Sequence, residues 1–567
     1  MSTSSQACGK ARTGRIRLWE IVVLVAVLVT LATVVAGCGG TEEAATTSPG
    51  TGSPGDTLQS TTPPADGLVD EITWNLGYGE PTTVDPLKAG DYGPCFIASQ
   101  MHDTLVRYTP DWKLQPCIAE SWDQVDDLTL VYTIRQDATF WDGSPVTVED
   151  VVFSMKRHMD PKTGSIWAAF YSYVKSIEQT GDWEITVKFT KPDELFNKEM
   201  GTVGGAIVKK DYVKQVGEAK YGSGENVMGS GPYKMVSWKP GQEIVLEANP
   251  DYWDAELAPK VSRVKVTFIS DTSTVTSAIM SGEIDGAYGI PQTNLAALEA
   301  APGTIYFGPS LTVVEVVPTN GDTPMGDPKD PDVRTALSMA IDRQAIVDNV
   351  FSGKAVLNKT FTPPSAWDPE AIDVYQAAYD KIPGDAPDVE GAKALLEGKQ
   401  GLDKPLVMAL AAGNEEELRV SSIVQQAAKD IGITIKLKPL QAMDLANVFY
   451  VPEYRKGIDL VMTWGWLDIP DPLDYTSLFF GEGALFNWIN YRNVEVEKTL
   501  DKARQTFDPV ERANLFCEAQ STFTADTIVV PLVNPYQTLY MSDRISGAPC
   551  SFAYMWIPGL AMLGGTK

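Results

Sequence analysis

The chain has 567 residues, a length that predicts roughly two to four domains, and 44% of its residues are hydrophobic, which is enough for sizeable cores. Its formal net charge of −28 argues against a nucleic-acid partner, because phosphate binding needs a basic face. Only two histidines occur, His102 and His158, so a histidine-rich zinc site is excluded and a Ser-His-Asp triad has only two candidates for its base.

The N-terminus is predicted to be a targeting segment. A basic stretch precedes an apolar run over 21–36, which is short for a membrane-spanning helix. Val35, Ala36 and Gly37 before Cys38 resemble a bacterial lipoprotein signal, which implies cleavage before Cys38 and a diacylglycerol on its sulfur. The alternative is an ordinary secretory signal with an incidental cysteine.

Four cysteines follow Cys38, namely Cys95, Cys117, Cys517 and Cys550. An even number in an exported protein favours disulfides, and we predict the local pairs Cys95–Cys117 and Cys517–Cys550. Four buried free thiols are the alternative.

The first part of the folded chain is predicted to be rich in strands. Alternating side chains predict strands at 71–76, 130–135 and 185–189. A helix is predicted over 91–107. A second helix is predicted to begin after Thr147, which caps it, with Asp150 completing a capping-box-like start.

The second part of the chain has the pattern of α/β material. The pattern predicts a strand, a helix, a strand and a strand at 406–411, 415–430, 433–437 and 458–464. Gly432 is expected just beyond the helix end. Asp332 is predicted as an N-cap, and Asp508 with Pro509 is predicted to start the helix that carries Cys517.

The segment 459–480 is predicted to be a buried strand that breaks into a ligand crevice. Gly465 and two prolines interrupt the strand, and three aspartates follow in quick succession. Asp471 before Pro472 is predicted to cap a helix, with Asp474 in its first turn. Asp468 has no such role, so it is the candidate to face a ligand at the C-terminal end of the strand.

Four segments resemble the family 5 extracellular solute-binding proteins, the oligopeptide, dipeptide and nickel receptors of ABC importers. They occur in the family's order at 116–157, 229–254, 281–285 and 333–351. The resemblance covers essentially all of 70–567. It implies an α/β, two-lobed, periplasmic-binding-protein-like type II fold with an extra third domain, the cluster C type.

The resemblance also implies domain boundaries. Residues 1–37 would be the signal peptide, and 38–69 the lipidated Cys38 with a flexible tether rich in Gly, Ser, Thr and Pro. The first lobe would comprise 70–108, 209–311 and 536–567. The extra domain would be 109–208 and the second lobe 312–535, with the ligand buried between the lobes by hinge closure.

In the family's peptide receptors, an aspartate in a W-x-x-D-x-x-x-P-type motif binds the α-ammonium of an extended peptide. Asp468 and Pro472 match this motif, whereas Gly465 stands at the tryptophan position. Trp464 and Trp466 flank Gly465 and are candidates to stack on the ligand. A first-lobe strand facing the peptide is expected near Asp91 and Tyr92.

These implications describe a monomeric binding protein that is not an enzyme and uses no cofactor or metal. Its partners would be a peptide or another small-molecule ligand, the permease and ATPase subunits of an ABC importer, and the outer face of the cytoplasmic membrane through the lipid. An oligosaccharide ligand on the same fold, a secreted carboxylate-based hydrolase and a receptor for a signalling partner are the alternatives.

Overall fold

The computed structural model describes residues 60–566. The predicted signal peptide, the lipidation site Cys38 and most of the predicted tether lie outside the described residues. Within 60–566, no helix has both the length and the apolar composition needed to cross a bilayer.

A mixed sheet of seven strands defines the first lobe. Its central strand, Val69–Leu76, pairs in parallel with both neighbours and buries Ile72, Trp74 and Leu76. This confirms the strand predicted at 71–76. The strands lie in the order Gly303–Gly308, Gln537–Ser542, Gly286–Tyr288, Val69–Leu76, Val261–Thr267, Glu243–Ala248 and Tyr233–Lys239.

A second mixed sheet, of six strands, defines the second lobe. Leu406–Ala411 is parallel to both of its neighbours, and the other pairs are antiparallel. The strand predicted at 406–411 is confirmed, and the next two begin two residues later than predicted. The strands lie in the order Ala355–Leu357, Val530–Pro535, Thr312–Pro318, Leu460–Trp466, Leu406–Ala411 and Ile435–Leu440.

A third, antiparallel sheet forms a separate layer, which we call the third domain. Its strands lie in the order Ala119–Asp126, Thr129–Ile134, Glu184–Phe189 and Val174–Gly181. Two of them confirm the strands predicted at 130–135 and 185–189. Two short antiparallel pairs complete the β-structure, Val106–Tyr108 with Leu114–Pro116 and Ile545–Ser546 with Gly564–Gly565.

The chain crosses directly between the two lobes in two places. Gly303–Gly308 belongs to the first sheet and Thr312–Pro318 to the second. Val530–Pro535 of the second sheet is followed by Gln537–Ser542 of the first, so only Tyr536 lies between them. The strands that flank the two crossings pair antiparallel, so the crossings lie side by side. Short adjacent connections of this kind let two lobes move about a common axis.

Helices cover the sheets, and polar side chains mark many of their starts. Thr147 and Asp150 form the predicted capping box, and Asp508 accepts a hydrogen bond from the Glu511 N–H, 2.7 Å away. The helices are Tyr92–Met101, Val148–Met159, Phe196–Glu199, Lys210–Val216, Thr272–Met280, Leu295–Leu298, Asp332–Ala340, Arg343–Asn349, Ile372–Tyr379, Val389–Leu396, Glu415–Asp430, Ala442–Tyr450, Pro472–Thr476, Val494–Arg504 and Pro509–Ala525.

Two helix predictions need correction. The helix predicted over 91–107 ends at Met101, because His102 adopts an extended backbone and the chain then enters a strand at Val106. Asp332 is the first helical residue instead of the N-cap, a position that Pro331 occupies.

The predicted disulfides are wrong, and the four cysteines are free thiols. Each sulfur has its own surroundings. Cys95 donates to the Ala89 carbonyl oxygen at 3.4 Å, whereas Cys117 lies 3.2 Å from a guanidinium nitrogen of Arg107. Cys550 donates to the Gln537 carbonyl oxygen at 3.5 Å, and Cys517 lies on the helix Pro509–Ala525, half-buried. Closeness in sequence therefore does not bring these side chains together.

Candidate ligand-binding site

The strand Leu460–Trp466 has one fully paired edge and one largely open edge. It pairs along its whole length with Thr312–Pro318. On the other edge it pairs with Leu406–Ala411 only at Leu460 and Val461. Within the described part of the chain, residues 462–466 therefore have no strand neighbour on that side. An open edge at the end of a central strand is a place where an extended chain can add.

The break after this strand is organised by two aspartates, as predicted. Asp471 is the N-cap of Pro472–Thr476 and accepts a hydrogen bond from the Leu473 N–H at 3.1 Å. Asp474, in the first turn, accepts a hydrogen bond from the backbone N–H of Asp468 at 2.7 Å. The short helix thus fixes the backbone on which the Asp468 side chain stands.

Asp468 presents a carboxylate oxygen without a protein partner. Its Oδ1 accepts a hydrogen bond from Trp466 Nε1 at 3.1 Å, while Oδ2 accepts none from the described residues. Burial raises the pKa of Asp468 to about 7, against the opposing effect of the Trp466 hydrogen bond. No lysine or arginine of the described chain forms an ion pair with it. A cation is therefore what this carboxylate lacks.

The two tryptophans are placed by strand alternation around Gly465. Trp464 is half-buried and packs against the core under the second sheet. Trp466 faces the first lobe. Gly465 points to the opposite side, where a Cβ atom would stand 2.2 Å from the hydroxyl oxygen of Tyr475. The departure from the family's tryptophan at this position thus has a packing reason.

Asp91 and Tyr92 lie at the start of a helix, so the expectation of a first-lobe strand there is wrong. Asp91 caps Tyr92–Met101 and accepts a hydrogen bond from the Tyr92 N–H at 2.8 Å. The Tyr92 ring centroid lies 4.5 Å from that of Trp466. The predicted residues of the two lobes are therefore brought together, through a helix terminus instead of a strand.

Two aromatic residues beside Tyr92 and Trp466 are not predicted from the sequence. Tyr78 stacks on Tyr92 with ring centroids 4.1 Å apart, and Tyr450 ends a helix of the second lobe. They are 40% and 57% exposed, yet surrounding protein raises the pKa of each to about 12. Side chains that are both open to solvent and crowded by protein line a cleft. The only sequence signal for these two positions is local: Tyr78 stands beside glycine, and Tyr450 stands at the end of a helix.

A second contact joins the lobes beside this cleft. The Gln292 N–H donates a hydrogen bond to Oε1 of Glu416, and Gln292 Nε2 donates to the Tyr536 carbonyl oxygen at 3.2 Å. Burial raises the pKa of Glu416 to about 7. The cleft thus lies between two contacts that join the lobes. One is the contact of Tyr92 with Trp466. The other is formed by Gln292 with Glu416 and with Tyr536 of the crossing segment.

Other parts of the surface offer less chemistry. A groove of about 670 Å³ beside the first strand is lined by Asp285 and Arg544, which pair with each other at 2.7 Å. His102 and His158 are buried, and burial lowers their pKa values to about 4 and about 3. In residues 60–566, no three metal-ligating side chains converge.

The family is decided by its sequence model, described as bacterial extracellular solute-binding proteins, family 5 Middle, which matches residues 113–487. The chain belongs to this family. It is a solute-binding protein and not an enzyme, so the alternative of a secreted hydrolase is wrong.

Relatives agree over most of this solute-binding protein. It is 27% identical over 485 residues to the probable D,D-dipeptide-binding periplasmic protein DdpA of Escherichia coli, covering 82% of this chain and 89% of the relative. It is 25% identical over 490 residues to the periplasmic oligopeptide-binding protein OppA of Haemophilus influenzae, covering 82% and 87%.

The solved structure of the oligopeptide-binding protein AppA of Bacillus subtilis, in complex with a nonapeptide, matches with a TM-score of 0.77 at 22% identity. The match covers 89% of this chain and 100% of that one. The solute-binding protein therefore has the predicted type II, cluster C fold, with its third domain.

Proposed function

We propose that this protein captures peptides between its lobes and delivers them to the permease of an ABC importer. The observation that carries the proposal is the open edge at 462–466 beside the unpaired oxygen of Asp468. An extended peptide adding to that edge would gain main-chain hydrogen bonds that do not depend on its sequence. Its α-ammonium would then reach Asp468.

Closure between the lobes would complete the site. The crossings at 308–312 and at Tyr536 would serve as the hinge. Tyr92 and Trp466 would part to admit the peptide and close over it. Excluding water in this way strengthens the pairing of a carboxylate with an ammonium.

The membrane attachment in this proposal rests on the sequence around Cys38. A lipid on Cys38 and a tether that ends before Gly67, whose N–H bonds to the Gly565 carbonyl oxygen, would hold a monomeric receptor at the outer face of the cytoplasmic membrane, within reach of the permease. Mass spectrometry of the N-terminal peptide of the purified protein tests the lipid directly. An unmodified Cys38, or a cleavage site elsewhere, would reject it.

Native mass spectrometry of the protein, purified gently without added ligand, tests the peptide assignment. A series of adduct masses that match short peptides is the expected result. Adducts spaced by one hexose would instead favour the second candidate, an oligosaccharide, for which the aromatic wall of Tyr78, Tyr92 and Trp466 is suited. Bare protein that also fails to bind added tripeptides would reject the peptide assignment.

A further inference from the structure

We propose that this site selects peptides whose first residue is basic, with the α-ammonium on Asp468 and the side-chain cation on Asp91. The inference rests on the proposed function and narrows its ligand class. A peptide of ordinary composition brings one positive charge to its N-terminal end. Two carboxylates, one from each lobe, face the same place in this cleft.

A chain of contacts brings the two carboxylates together. Asp91 adjoins Tyr92, whose ring contacts Trp466, and Trp466 donates its hydrogen bond to Asp468. The charges of both aspartates act on the same Cys95 thiol and on the same Tyr450 hydroxyl, whose pKa values they help to raise after burial. Asp91 and Asp468 thus converge on one region between the lobes.

Among residues 60–566, no lysine or arginine pairs with either carboxylate of this region. Neither Asp91 nor Asp468 has an ion pair within residues 60–566, and no lysine or arginine contributes to the shifted pKa values of Tyr78, Tyr92 or Tyr450. Asp91 is exposed and Asp468 half-buried. The fully buried carboxylate of Asp85, by comparison, lies 3.0 Å from Arg157 and has a cation of its own. Closing the cleft on a ligand with a single cation would leave one of the two aspartates unpaired, which is costly away from water.

The walls of the site also suit a cationic side chain. Tyr78, Tyr92 and Trp466 form a continuous aromatic cluster, and aromatic faces that the cleft leaves open attract ammonium and guanidinium groups. The side chain of Tyr554, which is 1% exposed, lies beside Tyr78 and Tyr92 and backs this cluster.

Calorimetric titration of the full chain with three peptides tests the inference: Lys-Ala-Ala, norleucine-Ala-Ala and Ala-Lys-Ala. Norleucine keeps the aliphatic stem of lysine and removes its charge. We expect Lys-Ala-Ala to bind roughly tenfold more tightly than either of the others. Asp91→Asn should abolish this preference, so that the variant binds Lys-Ala-Ala and norleucine-Ala-Ala equally tightly.

Asp91→Asn keeps the helix cap, because asparagine caps as well as aspartate, so loss of fold does not explain its effect. Asp508→Asn, at another exposed N-cap, is the matched control and should keep the preference. Equal affinities for the three peptides, or a preference that survives Asp91→Asn, would overturn the inference and leave peptide binding intact. Failure of all three peptides to bind would overturn the proposed function as well.

Discussion

At the scale of single residues, Asp468 is the group whose loss should matter most for ligand binding. In Asp468→Ala, a buried ligand ammonium would lose its partner, and affinity should fall by about 2–5 kcal/mol. Calorimetry with a tripeptide that the native protein binds measures this. Asp508→Ala removes an exposed capping carboxylate elsewhere and should leave affinity unchanged. An affinity that hardly changes in Asp468→Ala would show that the ammonium lies elsewhere.

Gly465 is the residue where packing dictates the sequence of the ligand strand. In Gly465→Ala, the new methyl would meet the Tyr475 hydroxyl, which donates to Glu315 Oε1 at 2.7 Å. Overpacking of this kind should lower the free energy of unfolding by about 1–3 kcal/mol, as denaturant titration would measure.

The second substitution Tyr475→Phe removes the atom that the methyl would strike. The cost of Gly465→Ala should therefore be smaller when it is measured in the Tyr475→Phe background. Equal costs in the two backgrounds would show that the methyl is accommodated in some other way.

At the scale of elements, local signals account for what the sequence predicted well. The helix Glu415–Asp430 and the strand Leu406–Ala411 have the predicted bounds, since caps, glycine and side-chain periodicity all lie within a few residues. Asp471 and Asp474 were assigned correctly for the same reason. The helix predicted over 91–107 likewise has the right start, at Tyr92. The contact of Tyr92 with Trp466 and the cleft positions of Tyr78 and Tyr450 depend on distant segments, so local patterns could not predict them.

The contact between the third domain and the second lobe is also nonlocal, and it is strongly ionic. Arg504, on Val494–Arg504, pairs with Asp193 at 2.8 Å and with Glu199 at 3.2 Å, and both carboxylates are fully buried. Lys198, the neighbour of Glu199 in the chain, pairs with Asp471 at 3.0 Å, in the turn that follows Asp468. The third domain therefore supports the backbone that holds Asp468.

Arg504→Ala should be severely destabilising, because it would leave two buried carboxylates without their cation. We expect a loss of about 3–5 kcal/mol in the free energy of unfolding, measured by denaturant titration. Arg492→Ala is the matched control: Arg492 is 44% exposed in its pair with Glu497, so its loss should cost less than about 1 kcal/mol. Equally small losses in the free energy of unfolding for both variants would show that the ion pairs of Arg504 contribute little to stability.

At the scale of the whole molecule, buried carboxyl groups should set the pH dependence of stability. Burial raises the pKa of Glu315 to about 8 and those of Glu416, Glu417 and Asp468 to about 7. In the unfolded chain these groups titrate near pH 4. The folded protein therefore binds protons more tightly than the unfolded one, and this stabilisation is lost as pH rises from about 4 to about 8.

Glu315 allows this dependence to be measured at one residue. The Tyr475 hydroxyl donates to its Oε1, but its Oε2 has no hydrogen-bond partner in the described chain, so a negative charge there is only partly compensated, whereas its neutral form resembles glutamine. Glu315→Gln and the native protein should therefore have similar unfolding free energies near pH 4.5. As pH rises toward 8, the unfolding free energy of the native protein should fall relative to that of the variant by up to about 1.4 kcal/mol per pH unit.

Denaturant titrations between pH 4.5 and 8.5, at constant ionic strength, give this difference directly. Glu497→Gln is the control, because it removes a carboxylate that is paired with Arg492 at the surface instead of one that is buried without a cation. A difference between Glu315→Gln and the native protein that stays constant with pH would mean that Glu315 is already ionised in the fold. Thr312–Pro318, the strand paired with Leu460–Trp466, would then hold a buried negative charge at Glu315.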